Sequence, residues 1–457
     1  MKKVYLACCI LIFLFVGIIF ASENEGKLEP ILVKDIDPGY GGSFPTNLTN
    51  VNGTLFFTAL DENNQFGLWK SDGSTAGTVL VKEISTGIKN IINVDGTLFF
   101  TYDDEGTGGE LWKSDGTTAG TVLVKVFNND TAITTPRNLT NVDGALFFTV
   151  NADIWKSDGT ESGTVLVKDF YFPYVSIATR DLTNVDGTLF FTRTEYLWKS
   201  DGTEAGTVVV RHFDKPAFST QLPTDLLNVN GTLYLIADDR DDGDGLWKSD
   251  GTGAGTVFVK EFGFMRNPKV SNATLYFFGN NGLWKSDGTA TGTILIKPLL
   301  LAGGRYSKLS SVGDIVFFIA NDGVHKGLWK SDGTVSGTVL VKAFEEWFGP
   351  TYNNLDPAKL TSANGLLYFF MNDDIYGTEL WQSDGTEAGT VMVADINPGE
   401  ASGTGNLAGN LINVNDVLFF TANDGAEHGA ALWKLGEPGT TNMPEDEHTI
   451  FLPVIIK

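Results

Sequence analysis

The sequence has almost no cysteine: Cys8 and Cys9 are its only two. Both lie in an apolar run, Val4 to Phe20, that follows Lys2 and Lys3 and ends beside the small residue Ala21. This order reads as a secretory signal peptide over residues 1–21, with an uncleaved membrane anchor as the alternative. Once it is removed no cysteine remains, so a large buried core must hold the chain together in an oxidising compartment without disulfides. Histidine is scarce too. His212, His325, His428 and His448 are scattered without metal-ligand spacing, and neither a nucleophile-elbow sequence nor a phosphate-cradling glycine loop occurs. No catalytic constellation emerges. The third shortage is positive charge: 32 Lys and Arg stand against 56 Asp and Glu, a net charge of -24 that falls further when Lys2 and Lys3 leave with the leader. Such a surface repels phosphate backbones, which argues against nucleic acid and anionic membrane as partners and suits a soluble secreted protein.

What the chain has in abundance is one motif, written LWKSDGTTAGTVLVK at Leu111 to Lys125. Its tryptophan recurs as Trp69, Trp112, Trp155, Trp198, Trp247, Trp284, Trp329, Trp381 and Trp433, nine of the ten in the chain. The first spacings are 43 residues and the later ones run from 37 to 52. A period of this length marks stacked supersecondary units, none of which buries its apolar surface alone.

Each unit reads NLTNVNG, TLFFT, a loop, LWKSDG and TVLVK: four short segments rich in Val, Leu, Phe and Thr, bounded by Gly, Asn or Asp, hence four strands joined by turns. Leu55, Phe56 and Phe57 are apolar in succession, as are Val79, Leu80 and Val81. Both faces of the sheet must therefore be buried, as in the blades of a β-propeller. After a polar spacer, residues 22–30, the array opens mid-unit with ILVKDI at Ile31 to Ile36. The last unit has its LFFT and LW but then reads KLGEPGT, without a VLVK strand in register. The strand orphaned at the start is the strand missing at the end. The expected fold is an all-β propeller of about nine four-stranded blades over residues 31–435, closed by pairing of the N-terminal strand into the last blade. Residues 436–457 form a linker and an apolar tail, TIFLPVIIK.

The motif residues read as structural. Asp115 and its counterparts precede glycine between two strands and suit a hairpin turn better than a calcium site, which needs several clustered oxygens. The tryptophans follow Leu or Ile in strands buried on both faces and read as core rather than as sugar-stacking platforms. Turns between first and second strands (NVNG) and between third and fourth strands (SDGTxxGT) are nearly uniform and share one face. The remaining loops vary and should crowd the opposite face, where a rigid scaffold presents binding residues. Two stretches stand out there. Asp238, Asp239, Asp241, Asp242 and Asp244 form the densest carboxylate cluster, a candidate calcium site that lacks EF-hand spacing because Arg240 interrupts it. Trp347, Phe348 and Tyr352 form a candidate ligand contact around the one tryptophan outside the repeat.

The stretch Glu110 to Thr117, ELWKSDGT, resembles the ELWxxDGT repeats of secreted and surface-associated bacterial proteins. The resemblance covers nearly the whole chain after the leader, although only Glu379 repeats the glutamate of Glu110 and the ninth unit loses its DGT. It implies an extracellular protein, free or held at the cell surface, and no chemistry that transfers residue by residue. The expectation is a binding or scaffold protein whose partner is an extracellular protein or a glycan, with no membrane span once the leader is cleaved and calcium as the one candidate cofactor. A carbohydrate-binding lectin, a glycan-active hydrolase or lyase on the same scaffold, and a self-assembling surface layer are the rival readings.

Overall fold

A computed structural model describes residues 27–437, except 39–40, 85–86, 104–108, 130–131, 134, 171–177, 215–221, 242, 263–264, 280, 301–307, 345–358, 374, 399–408 and 426–427. The described chain is all-β, and no helix in it is long and apolar enough to cross a membrane. Nine antiparallel sheets succeed one another; eight run from an innermost to an outermost strand in chain order, and the ninth takes its outermost strand from the start of the chain. The first blade is typical: Thr46–Val51, Thr54–Leu60, Phe66–Ser71 and Val79–Ile84. Blade 2 gains a short fifth strand at its outer edge, Ala132–Ile133. From blade 7 through blade 9 and on to blade 5, the innermost strands of successive blades contact each other around the axis. This is a nine-bladed propeller, as the repeat count leads one to expect.

Burial explains the successive apolar residues. Consecutive side chains in a strand point to opposite faces, and the described core divides into nine clusters, one for each seam between neighbouring blades. In blade 1, Phe56 packs toward Leu98 and Phe100 of blade 2. Leu55 and Phe57 pack the other way, toward Phe419 and Leu432 of blade 9. Along the second strand neither face meets water, whereas on the outermost strand only Val81 of the triplet Val79, Leu80 and Val81 is buried and Val79 is exposed, because no further strand covers that edge.

The SDGTxxGT stretch is a hydrogen-bonded unit repeated in eight turns. In blade 2, Asp115 Oδ1 accepts from the amide and the hydroxyl of Thr117, both at 2.8 Å. Thr117 Oγ1 accepts from the Gly120 amide at 2.9 Å, and Ser114 Oγ lies 2.7 Å from Thr121 Oγ1. These bonds to the charged form hold the Asp115 carboxyl below the usual carboxylate range, the Thr117 hydroxyl most of all. Gly116 adopts φ +87° and lies so close to Phe56 of blade 1 that a Cβ would come within 2.9 Å of its ring. The glycine is fixed both by the turn and by the seam.

Outer-strand cations make a third set of inter-blade contacts. Lys82 of blade 1 lies 4.6 Å from the Trp112 ring of blade 2, Lys297 lies 4.6 Å from Trp329, and Arg211 lies 4.5 Å from Trp247. Trp69, Trp247, Trp329 and Trp433 are buried, whereas Trp112, Trp155, Trp198, Trp284 and Trp381 are half-buried. The tryptophans are thus core on one side and, at most seams, platform for an internal cation on the other. Of the two motif glutamates, Glu110 accepts the Trp112 Nε1 proton at 2.8 Å, whereas Glu379 accepts the Ile396 amide at 2.8 Å. Where glycine replaces the glutamate, as at Gly67, the Trp69 indole nitrogen lies 2.7 Å from where a Cβ would stand.

The ring closes as the orphan strand requires. Glu29–Lys34 pairs antiparallel with Ala430–Gly436, bringing Leu32 opposite Trp433 and Glu29 opposite Gly436. The strand starts two residues before Ile31, inside the stretch read from sequence as spacer. Lys34, entering from the far end of the chain, lies 6.0 Å from Trp69 of blade 1 and donates to Thr78 O at 3.0 Å. Asn410 Nδ2 of blade 9 reaches Pro45 O at 3.4 Å across the same join. Residues 1–26, with the stretch read from sequence as a signal peptide, and residues 438–457 lie outside the described residues.

Two outcomes test this account. Trp247 is 0% exposed, so Trp247→Ala should cost about 3–5 kcal/mol in denaturant unfolding. Deleting residues 22–36 should lower the unfolding midpoint and accelerate hydrogen exchange in Ala430–Gly436, the strand left unpaired on its outer edge.

Candidate functional site

The face opposite the uniform turns carries the loops between second and third strands and the crossings between blades. Innermost strands begin there, so their first residues ring the mouth of the axis. In most blades that ring is made of asparagine. Asn47 Nδ2 donates to Thr58 Oγ1 at 3.2 Å and to Ile88 O of the next blade at 3.4 Å; Asn90 bridges to Pro136 O at 3.1 Å, and Asn138 to Thr179 O at 3.3 Å. Asn47 and Asn138 take positive φ at 55° and 54°, a conformation asparagine tolerates better than most residues.

Blades 4 and 5 break the pattern with Asp181 and Asp225, at the same positive φ of 55° and 56°. Asp181 Oδ2 accepts from Thr192 Oγ1 at 3.0 Å. A carboxylate has no proton to donate, so at Asp181 the donors are the hydroxyls of Thr192 and of Thr224 in blade 5. Burial raises the Asp181 carboxyl, against the pull of the Thr192 hydroxyl and Arg180. Burial, and then the charge of Asp181, push Asp225 up to about 6. Two neighbouring half-buried acids therefore sit at the mouth, one of them poised to exchange a proton near neutral pH. The sequence signal for them is asparagine changing to aspartate at a fixed position of the repeat, DLT and DLL in place of NLT, which reading the loops alone overlooks.

The acidic loop of blade 5 is divided by the fold. Asp238 lies directly across the ladder from Asp244, and Asp239 across from Gly243. Asp239 turns to blade 4, where its Oδ2 stands 3.2 Å from Arg211 Nη2, and its Oδ1 accepts the Asp241 amide at 3.2 Å. Asp241 is exposed at the tip. Asp244 is pushed up to about 6 by burial, then by Asp238 and Glu261, and its Oδ1 is buried without a hydrogen-bond partner. Among the described residues no three acidic, histidine or cysteine side chains gather with metal-ligand geometry. Asp242 falls outside the described residues, as do Trp347, Phe348 and Tyr352.

No family profile matches the chain, nor does any curated protein. Solved structures do. A eukaryotic initiation factor aligns with a TM-score of 0.50 at 10% identity, over 81% of this chain and 95% of that one. Saccharomyces cerevisiae Sqt1 aligns at 0.43 and 10%, over 89% and 98%. The tricorn protease aligns at 0.35 and 11%, over 83% of this chain. The chain spans 41% of the tricorn protease and 59% of a puromycin hydrolase mutant that it also matches. At these identities the likeness is one of fold alone.

The Asp225 shift has a signed consequence. Its folded value lies above its unfolded one, so the folded state holds the proton more tightly and stability falls as pH rises from about 4 to about 6. Asp225→Asn removes that cost and restores the donor of the belt. The variant should be more stable than the parent by about 1–2 kcal/mol at pH 7.5, allowing for solvent screening, with the gain shrinking toward pH 4; unfolding at both pH values checks it.

Proposed function

We propose that the chain is a secreted or cell-surface protein of the ELWxxDGT kind that binds an extracellular partner, protein or glycan, through its variable-loop face. The observation that carries this reading is the contrast between the two faces. The turn face repeats one hydrogen-bond network eight times, from Asp72 to Asp384. On the loop face the second-to-third-strand loops differ in length and sequence, although blades 7 and 9 share an Asn-Asp-Gly turn and Asp239 and Asp322 make like ion pairs with the preceding blade. Asp61 caps its own turn by accepting the Asn63 and Gln65 amides, Asp239 pairs with Arg211, and Asp322 pairs with Lys297. A rigid ring with invention confined to one face suits recognition.

The test replaces the blade 5 loop, Asp238 to Asp244, with the blade 7 sequence Asn321 to Lys326 and compares capture of cell-envelope proteins and glycans. Capture should be lost while the unfolding midpoint holds. Retention of the same partner by this variant, and by equivalent swaps in blades 1, 2 and 8, would sink the reading.

One observation supports a second reading, a glycan-active hydrolase or lyase: the Asp181 and Asp225 pair, with one carboxyl raised toward neutrality as a general acid requires. Turnover of a polysaccharide panel, abolished in Asp225→Asn although that variant is stabilised, would favour it over simple binding.

A further inference from the structure

The turn face is uniform in sequence but not in hydrogen bonding. Asp95, Asp143 and Asp186 hold the same position in the turn between the first two strands of blades 2, 3 and 4. Asp95 Oδ1 accepts from Asn141 Nδ2 at 3.0 Å, and Asp143 Oδ1 from Asn184 Nδ2 at 3.2 Å, so each is held by the following blade. At the next seam the asparagine turns elsewhere: Asn228 Nδ2 donates to Asn184 O at 3.1 Å. Asp186, exposed on the turn, is left without a hydrogen-bond partner among the described residues. It stands on the wall of a cavity of about 200 Å³ between blades 4 and 5, with Thr188, Phe190, Lys199, Ser249 and Asp250 around it.

We propose that this inter-blade cavity binds one sugar residue of a glycan. The lining selects by elimination. Lys199 repels an inorganic cation, and Asp186 with Asp250 repels phosphate or sulfate. The volume lies below that of sites built for drug-sized ligands, and a peptide segment does not fit. A sugar residue fits the mixed lining. Asp186 only accepts hydrogen bonds, whereas the Lys199 ammonium has three protons and spends one on Gly251 O at 2.9 Å. Sugar hydroxyls both donate and accept, and so serve both sides. This glycan site is independent of tryptophan platforms and of the loop face, so its failure leaves the reading of that face untouched.

The experiment is saturation-transfer NMR with calorimetry on the full mature chain, using glucose, galactose, mannose and N-acetylglucosamine as probes. At least one should bind, and Asp186→Asn should weaken it about tenfold, the size of a lost charge-assisted hydrogen bond. That substitution suits the backbone, since Asn52 and Asn230 hold the same position at φ 49° and 48°. If Asp186→Asn lowers the unfolding midpoint, Thr188→Val carries the test instead. No binding by any of the four sugars overturns the proposal, and so does binding unchanged in a correctly folded variant.

Discussion

Each sheet in this protein is apolar on both faces, and that constraint governs the rest. A blade with Phe56 on one side and Phe57 on the other is unstable alone and becomes stable only when both neighbours are present. The seams are also where the polar residues of the repeat act. Glycine admits the neighbour's ring, asparagine bridges to the neighbour's carbonyl, and lysine lies over the neighbour's tryptophan. The motif is best understood as half of an interface, completed by its own next copy.

That view explains what was legible in the sequence. A period of about 43 residues and uninterrupted apolar triplets reveal the blade and its two buried faces. The mismatch between the first and last units reveals the closure, because a strand without a hairpin partner must find one elsewhere. Inter-blade chemistry was much less legible. Nothing in VLVK says that its lysine meets the tryptophan of the following unit, since that contact depends on how far each blade rotates about the axis. Asp238 to Asp244 reads as one cluster in the chain, yet the ladder sets Asp238 against Asp244 and sends Asp239 to Arg211 of another blade. Asp181 and Asp225 were visible only as departures from a repeat whose asparagine had first to be understood as a bridge.

The seam between blades 4 and 5 gathers several of these departures. Its outer cation is arginine rather than lysine, its axial bridge is replaced by two acids, and its turn-face asparagine leaves Asp186 unclaimed. The standard bridges are replaced there by others, Arg211 against Trp247 and Asp239, and Asn228 to the Asn184 carbonyl. Repeat architecture permits this kind of specialisation, because a change at one seam perturbs only the two blades that share it.

The clasp between Glu29–Lys34 and Ala430–Gly436 sets the order of events in folding. The strand made first is among the last to find its place, because its partner lies in the final blade. Intermediate blades can zip together as they appear, but the two ends of the growing arc keep apolar faces open until they meet. The entropy of that meeting grows only with the logarithm of the intervening length, so a ring of nine is scarcely harder to close than a smaller one. Its cost is time, during which open ends are exposed to wrong partners. Once shut, the clasp resists opening, because its strand is held in register by one blade and by Lys34 against another.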